Sequence, residues 1–599
     1  MPEQEKSFDP VLLAVMANRM DAIVREMTST VVLTASSSVI GMARDFSCAI
    51  LSADHEIMSA ADGVPVHVFG ANLQSRILKE THPEMKEGDA FLNNDPYSGN
   101  SHAADHTFMV PVFFEGEHIF TATVKCHQAD CGNSLPTTYH AGARDIYEEG
   151  ALIFPMVQIQ QGYRHDRNFI AMCRKRIRTP EQWYGDYIAA ISAARAGEKA
   201  LKQLVEKFGI ANVRAFVDAW MDYSERRSLA SIKALPAAKI QRSGHLDAMG
   251  DFLPDGIDVN VSIEVDPEEG YVTIDLRDNV DCLDNGLNQT EATATAAAIT
   301  GVVNCLEDDL PLNTGTFRRI RVLLREGSAA GIPTFPHSCS VATTIISDII
   351  TNLVQHGLSE LGPKIGLAEG NLCHPTSTAV VAGRDARRGN ADYVNQLFLM
   401  GGGGPASAHE DGIHNYIVPA GAGVCYRDSV EVDEQRFPIL VHSMELVTGS
   451  AGAGRRRGGL GTRVEFGPRN GVMSVMTNTN GVETFPRGAR GGHGSTPGLN
   501  ARLKDGEIVE TYGGYVVARL TPGETVIGTD SGGGGFGDPR EREPERVLMD
   551  VLERYETVER ARDLYGVSLI LDEDGDPVAV DQPGTARLRE AARKITENV

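Results

Sequence analysis

Apolar residues recur near the start of the chain at Leu12, Met16, Met20, Ile23 and Met27, spacings of four, four, three and four that predict a helix burying one stripe. Asp9-Pro10 supplies its N-cap and first-turn proline. Residues 45–52 then read as a strand with Asp45 at its mouth, and Asp62-Gly63 marks a turn leading to a second extended piece that carries His67. The period of two is clearest in residues 108–114 and 118–124, two β-rich runs around Glu115-Gly116-Glu117 that read as one hairpin. With 115–117 unpaired, Phe114 faces His118, and the same register sets Asp105 opposite His127 and His102 opposite Asp130. Pro111 marks its strand as an edge or a bulge, because it cannot donate to a ladder.

Farther on, Thr179-Pro180-Glu181-Gln182 has the form of a capping box heading an alanine-rich helix toward Phe208, and a second helix is expected over 211–235. Residues 257–263 and 271–276 alternate around Pro267-Glu268-Glu269-Gly270, a second hairpin. Two stretches of low charge, 289–306 and 341–361, predict interior helices, although the first also fits a strand. Past residue 400 glycine becomes dense, and 540–565 is charged with an apolar stripe at Val547, Leu548, Val551 and Leu552. The pattern predicts a multidomain α+β (mixed α/β) protein. Its expected units are 1–240, 241–400, a glycine-rich β region at 401–540 and a helical tail at 541–599.

Composition adds exclusions. A chain of 599 residues exceeds a single core, and 42% hydrophobic with 23% charged residues is ordinary globular usage. The net charge of -25 repels phosphate backbones and anionic lipid, which argues against nucleic-acid or membrane partners and for a small-molecule substrate. No run is long enough to span a bilayer, and the acidic N-terminal segment does not resemble a signal peptide, so a cytoplasmic location is expected. Nine cysteines without a Cys-x-x-Cys pair predict free thiols. None of the glycine clusters forms a P-loop or a dinucleotide fingerprint, so tight turns and close strand crossings are their expected role. Arg455, Arg456, Arg457, Arg487 and Arg490 are secondary candidates for holding an anion.

The chemistry concentrates in two His-x-x-Asp pairs, His102/Asp105 and His127/Asp130, which bracket the first hairpin and so meet in space. Imidazole and carboxylate form a donor set suited to Zn²⁺, Mn²⁺ or Fe²⁺. Asp45 joins as a further ligand candidate and His67 as a weaker one. One isolated pair would read as strand-end residues bonded to each other; two mirrored copies favour a metal.

Gly88-Asp89-Ala90-Phe91-Leu92-Asn93-Asn94-Asp95-Pro96-Tyr97-Ser98-Gly99, the two His-x-x-Asp pairs, Tyr147-Glu148-Glu149-Gly150 and residues 532–539 resemble the hydantoinase B/5-oxoprolinase family. That resemblance implies a heteromeric enzyme in which an A-type partner binds ATP and activates a carbonyl oxygen, while this chain completes the reaction at a divalent metal. It carries the ligand roles onto Asp45, His102, Asp105 and His127. Asp130 becomes a fifth ligand, a carboxylate orienting His127, or the proton acceptor, and Asp95 and His67 are the other catalytic candidates. The leading expectation is ring opening of a cyclic amide. A ketone carboxylase subunit is the alternative, encouraged by Gln128 where hydantoinase-type members have a second histidine, and a metal-stabilised scaffold is the third.

Overall fold

The computed structural model describes residues 8–60, 63–307, 309–372, 376–423 and 425–596. Asp62 of the expected turn and Cys373 lie outside the described residues. The architecture is α+β and multidomain, with four sheets of four to seven strands plus a small hairpin near the C-terminus.

The first sheet is antiparallel throughout, in the order Ile57–Ser59, Phe46–Ser52, Glu117–His127, Asp105–Phe114, Ala90–Asn93, Val157–Gln161, Arg164–His165. Successive side chains in a strand point to opposite faces. Cys48, Ile50, Phe108, Val110, Ala122, Val124 and Cys126 therefore all pack on one face, against Met16, Met20, Ile23 and Met27 of helix Pro10–Thr34 and Trp183, Tyr187 and Ile191 of helix Pro180–Phe208. Asp9 caps the first helix through the N–H groups of Val11 and Leu12, as expected. The capping box at Thr179 does not form: its side chain gives the first turn no hydrogen bond. The opposite face of the sheet, including Ala49, Leu51 and Ile57, packs on a second core.

That second core belongs to a sheet in the order Ile320–Leu323, Tyr271–Asp275, Ile257–Asp266, Ala238–Leu246, covered by helices Glu291–Val303 and Ile346–Leu358. The stretch that also fitted a strand is thus a helix, started by Thr290, whose hydroxyl caps Thr293. Two further sheets form a sandwich, and in one of them Val380–Asp385 pairs with Ala391–Gln396 on one side and Met473–Asn478 on the other, so this unit reaches back across residue 400.

The glycine clusters run beside the sandwich as backbone packed on backbone. Gly404 donates to Ile413, Gly459 to Gly404, Gly533 to Gly459 and Gly452 to Gly533, at 2.8–2.9 Å. A Cβ on Gly403 would be driven into the Gly459 carbonyl, and one on Gly533 into that of Gly404. Three of the neighbouring arginines are paired with carboxylates: Arg457 with Asp550 (3.0 Å), Arg487 with Glu369 (2.5 Å) and Arg455 with Glu541 (3.7 Å). Helices Pro544–Leu552 and Val558–Asp563 follow, and the tail also holds a hairpin, Leu569–Leu571 with Pro577–Val580. Val547 and Val551 of the expected stripe are buried, whereas Leu552 is exposed. Arg542, buried, bridges Asp550 of the tail and Asp411 of the glycine-rich region, at 2.8 Å each.

Candidate metal centre

Asp105 opens its strand and His127 closes the neighbouring one, and the two are direct cross-strand partners. The route to that register differs from the expected one. The hairpin turns on two residues, Glu115 and Gly116, both at positive φ (50° and 83°), and a one-residue bulge between Val112 and Phe113 offsets the shorter turn. Pro111 sits beside this bulge and beyond the last pair with Ala90–Asn93, so it lies on a local edge.

Pleating sends Asp105 and His127 to the face away from the helices, toward the second core. His102 precedes the strand in a loop held by Asn100, which donates to the carbonyls of His102 (2.7 Å) and Asp105 (2.9 Å). That loop swings His102 Nε2 to 3.0 Å from Asp105 Oδ1 and 3.3 Å from His127 Nδ1, while His127 Nδ1 lies 3.0 Å from the same oxygen. All three residues are buried. Such a triangle suits an ion: bonds of about 2.1 Å separate neighbouring donors by about 3.0 Å in octahedral and about 3.4 Å in tetrahedral geometry. His102 Nδ1 must donate to the Ser340 carbonyl, 2.8 Å away, so in a neutral ring Nε2 presents a bare lone pair. A lone pair, a carboxylate oxygen and a second ring nitrogen at this spacing could hold a metal ion.

Asp45 and His67 also arrive. His67 Nε2 lies 3.3 Å from Asp105 Oδ2 and 3.5 Å from Asp45 Oδ1, and Asp45 Oδ2 lies 4.0 Å from His127 Nδ1. His67 sits on a short helix, Pro65–Val68, rather than on an extended piece, because Pro65 occupies the first helical turn. Its Nδ1 is 3.3 Å from Ser47 Oγ. Burial opposes the Asp105 charge, but contact with His102 and His67 outweighs it and holds the carboxyl well below the usual carboxylate range. Burial likewise works against the His102 imidazolium, and Asp105 reverses it, raising His102.

Asp130 and Asp95 are turned to other partners. Both Asp130 oxygens accept from Arg178, through its backbone N–H (2.6 Å) and Nη1 (3.2 Å), and Gly132 N–H adds a third bond. The strand ends at His127, so the alternation that would have aimed Asp130 at the cluster stops there. Asp95 closes a tight turn by accepting from Tyr97 N–H and Ser98 Oγ.

Several neighbours carry no sequence motif. Tyr139 stacks on the rings of His102 and His127, with centroids 5.7 and 5.4 Å away, and burial raises its hydroxyl well above the usual value. Lys125 lies two residues before His127 on the same face, where burial pushes its ammonium down to about 8 against the pull of Asp105. Glu149 is buried and accepts from Ser338 (2.6 Å) on the loop that presents the Ser340 carbonyl. Gln128 reaches the Cys126 carbonyl, not the cluster. Eight described cysteines are free.

The sequence matches the hydantoinase B/oxoprolinase family over residues 9–539. It is 28% identical over 577 residues to the caprolactamase subunit beta of Pseudomonas jessenii, covering 95% of this chain and 97% of that one. The crystal structure of the ATP-dependent caprolactamase from the same organism superposes with a TM-score of 0.86 at 26% identity, over 97% and 99% of the two chains. A nucleotide-free acetone carboxylase also gives a TM-score of 0.86, at 20% identity over 98% of this chain and 84% of that one, and shares the fold. The chain belongs to the hydantoinase B/oxoprolinase family.

Proposed function

We propose that this chain is the metal-bearing subunit of an ATP-dependent amidohydrolase that opens a cyclic amide, working in a hetero-oligomer with an A-type subunit that binds ATP. The observation that carries this reading is the buried triangle of His102 Nε2, Asp105 Oδ1 and His127 Nδ1, with edges of 3.0–3.3 Å, in a member of this family. A similar protein described as subunit beta of an ATP-dependent caprolactamase, together with the lack of a nucleotide motif in this sequence, supports the division of labour.

His102, Asp105 and His127 would hold the ion, with Asp45 at their margin, and the imidazole and carboxylate donors suit Zn²⁺, Mn²⁺ or Fe²⁺. Such an ion supplies Lewis acidity toward an oxygen of the substrate or of water. His67 would take the proton: its Nδ1 lies 3.3 Å from Ser47 Oγ, and an imidazolium there would face both Asp105 and Asp45. Tyr139, keeping its hydroxyl proton, closes one side of the histidine pair against water. The Gln128 that encouraged a carboxylase reading does not face these groups.

The test is a variant series in the full chain, co-expressed with its partner. His102→Ala and His127→Ala should lose bound metal and ATP-dependent ring opening together. His67→Ala should keep the metal and lose kcat by about 10²–10⁴. Asp130→Asn should keep the metal and most of the activity. Undiminished turnover in His127→Ala would overturn the proposal and leave the scaffold reading in its place.

A further inference from the structure

Lys125 is buried, 4% exposed, and makes no ion pair among the described residues. A lysine in that position needs a reason, since desolvating an ammonium without a partner is costly. Its strand is paired on both sides, with Thr107 across one and Ser47 across the other, and its side chain shares a face with His127. The ammonium ends at Ser101 Oγ, 3.2 Å away. Ser101 Oγ lies 2.5 Å from Asp105 Oδ2. A hydroxyl has one hydrogen and a carboxylate only accepts, so Ser101 must donate to Asp105 and accept from Lys125. The order Lys125 to Ser101 to Asp105 is therefore fixed by donor chemistry.

Resting on the metal-centre reading above, we infer that Ser101 and Lys125 are a positioning pair that engages one oxygen of Asp105 and leaves the other, Oδ1, to face His102 and His127. A free carboxylate rotates and can present one oxygen or both. With Oδ2 bound by Ser101 and flanked by His67 at 3.3 Å, Asp105 offers the triangle one oxygen at a set angle. Lys125 polarises the Ser101 hydroxyl and places a positive charge behind a cluster that also includes Asp45, without itself being one of the candidate ligands. Sequence position agrees, because the period of two that points His127 at the site points Lys125 there as well.

The experiment uses Co²⁺ as a spectroscopic probe of the purified full chain, with affinity measured by chelator competition and the ligand set read from visible absorption. Lys125→Met keeps the aliphatic stem and removes the charge, Lys125→Arg restores a donor, and Ser101→Ala removes the link. The pair predicts a loss of about 10–100-fold in Co²⁺ affinity and an altered spectrum for Lys125→Met and for Ser101→Ala, with recovery in Lys125→Arg. The double variant should bind no more weakly than the worse single variant, since both cut one chain. Wild-type affinity and spectrum in a folded Lys125→Met, or losses that simply add, would overturn the inference. Should Lys125→Met not fold, Ser101→Ala decides alone by the same two readouts. A wild-type chain that binds no Co²⁺ would instead overturn the metal-centre reading itself, which keeps the two failures distinct.

Discussion

Single residues carry the chemistry by committing each polar atom to one partner. The grouping of Asp105 and His127 was legible because a hairpin brings its own ends together, with His102 close before it, whereas Asp45 and His67 were candidates from separate segments, and the one that carries His67 is a helix. Ser340, 238 residues from His102, has no such signal, yet its carbonyl sets the tautomer of that ring. Asp130 shows the converse, where a mirrored motif invites pairing but the strand stops at His127 and Arg178 takes the carboxylate. Away from the site, Asp530 illustrates how burial acts on one group: it is fully enclosed, accepts from Ser377 and Thr462, and its carboxyl is pushed up to about 8. The folded state thus binds a proton that the unfolded chain releases near pH 4, so the stability Asp530 contributes is present below that pH and lost as pH rises toward 8. Asp530→Asn should therefore flatten the decline in stability between about pH 6 and about pH 8.5, by at most about 1.4 kcal/mol per pH unit. Denaturant midpoints at the two pH values check this, and equal declines in the two proteins would contradict it.

At the scale of elements, hydrophobic period was a sound guide to type and a weaker one to ends. The helices at Pro10–Thr34 and Ile210–Lys233 and the hairpin Ile257–Asp266/Tyr271–Asp275 follow their periodicity, while the Thr179 capping box and the extended piece at His67 gave way to local backbone geometry. In the first hairpin a shorter turn and a bulge cancel, so Asp105 and His127 are paired as the three-residue turn would have it. The glycine clusters signalled close approach but not its form, because backbone packed on backbone leaves no hydrophobic pattern to read. Position decides what a methyl group costs there. Gly533→Ala would drive Cβ into the Gly404 carbonyl and should cost more than about 4 kcal/mol or leave the chain insoluble. Gly116→Ala, at φ 83° with open space around it, should cost only about 1 kcal/mol. Comparable losses in thermal and denaturant melts of the two variants would contradict the packing argument.

Across the whole molecule, the site is a place where three units meet. The first sheet supplies Asp45, Asp105 and His127, the second unit supplies the Ser340 carbonyl, and the sandwich meets Tyr139 through Gln396 and Asn478 at 3.4 Å each. The second unit and the sandwich are themselves pinned by Asp247, whose carboxylate accepts from the N–H groups of Gly481, Val482, Glu483 and Thr484 at 2.8–2.9 Å. Among the described residues no helix is long and apolar enough to cross a membrane. The central claim, that this chain opens a cyclic amide at a metal in a hetero-oligomer, is tested most directly by the chain reconstituted with the proposed A-type subunit. ATP-dependent turnover would be measured in parallel on a panel of cyclic amides and on ketones with labelled bicarbonate, before and after chelation and metal return. The account predicts ring opening without label uptake, lost on chelation and restored by Zn²⁺, Mn²⁺ or Fe²⁺; label fixed into a ketone-derived acid with no ring opening would contradict it.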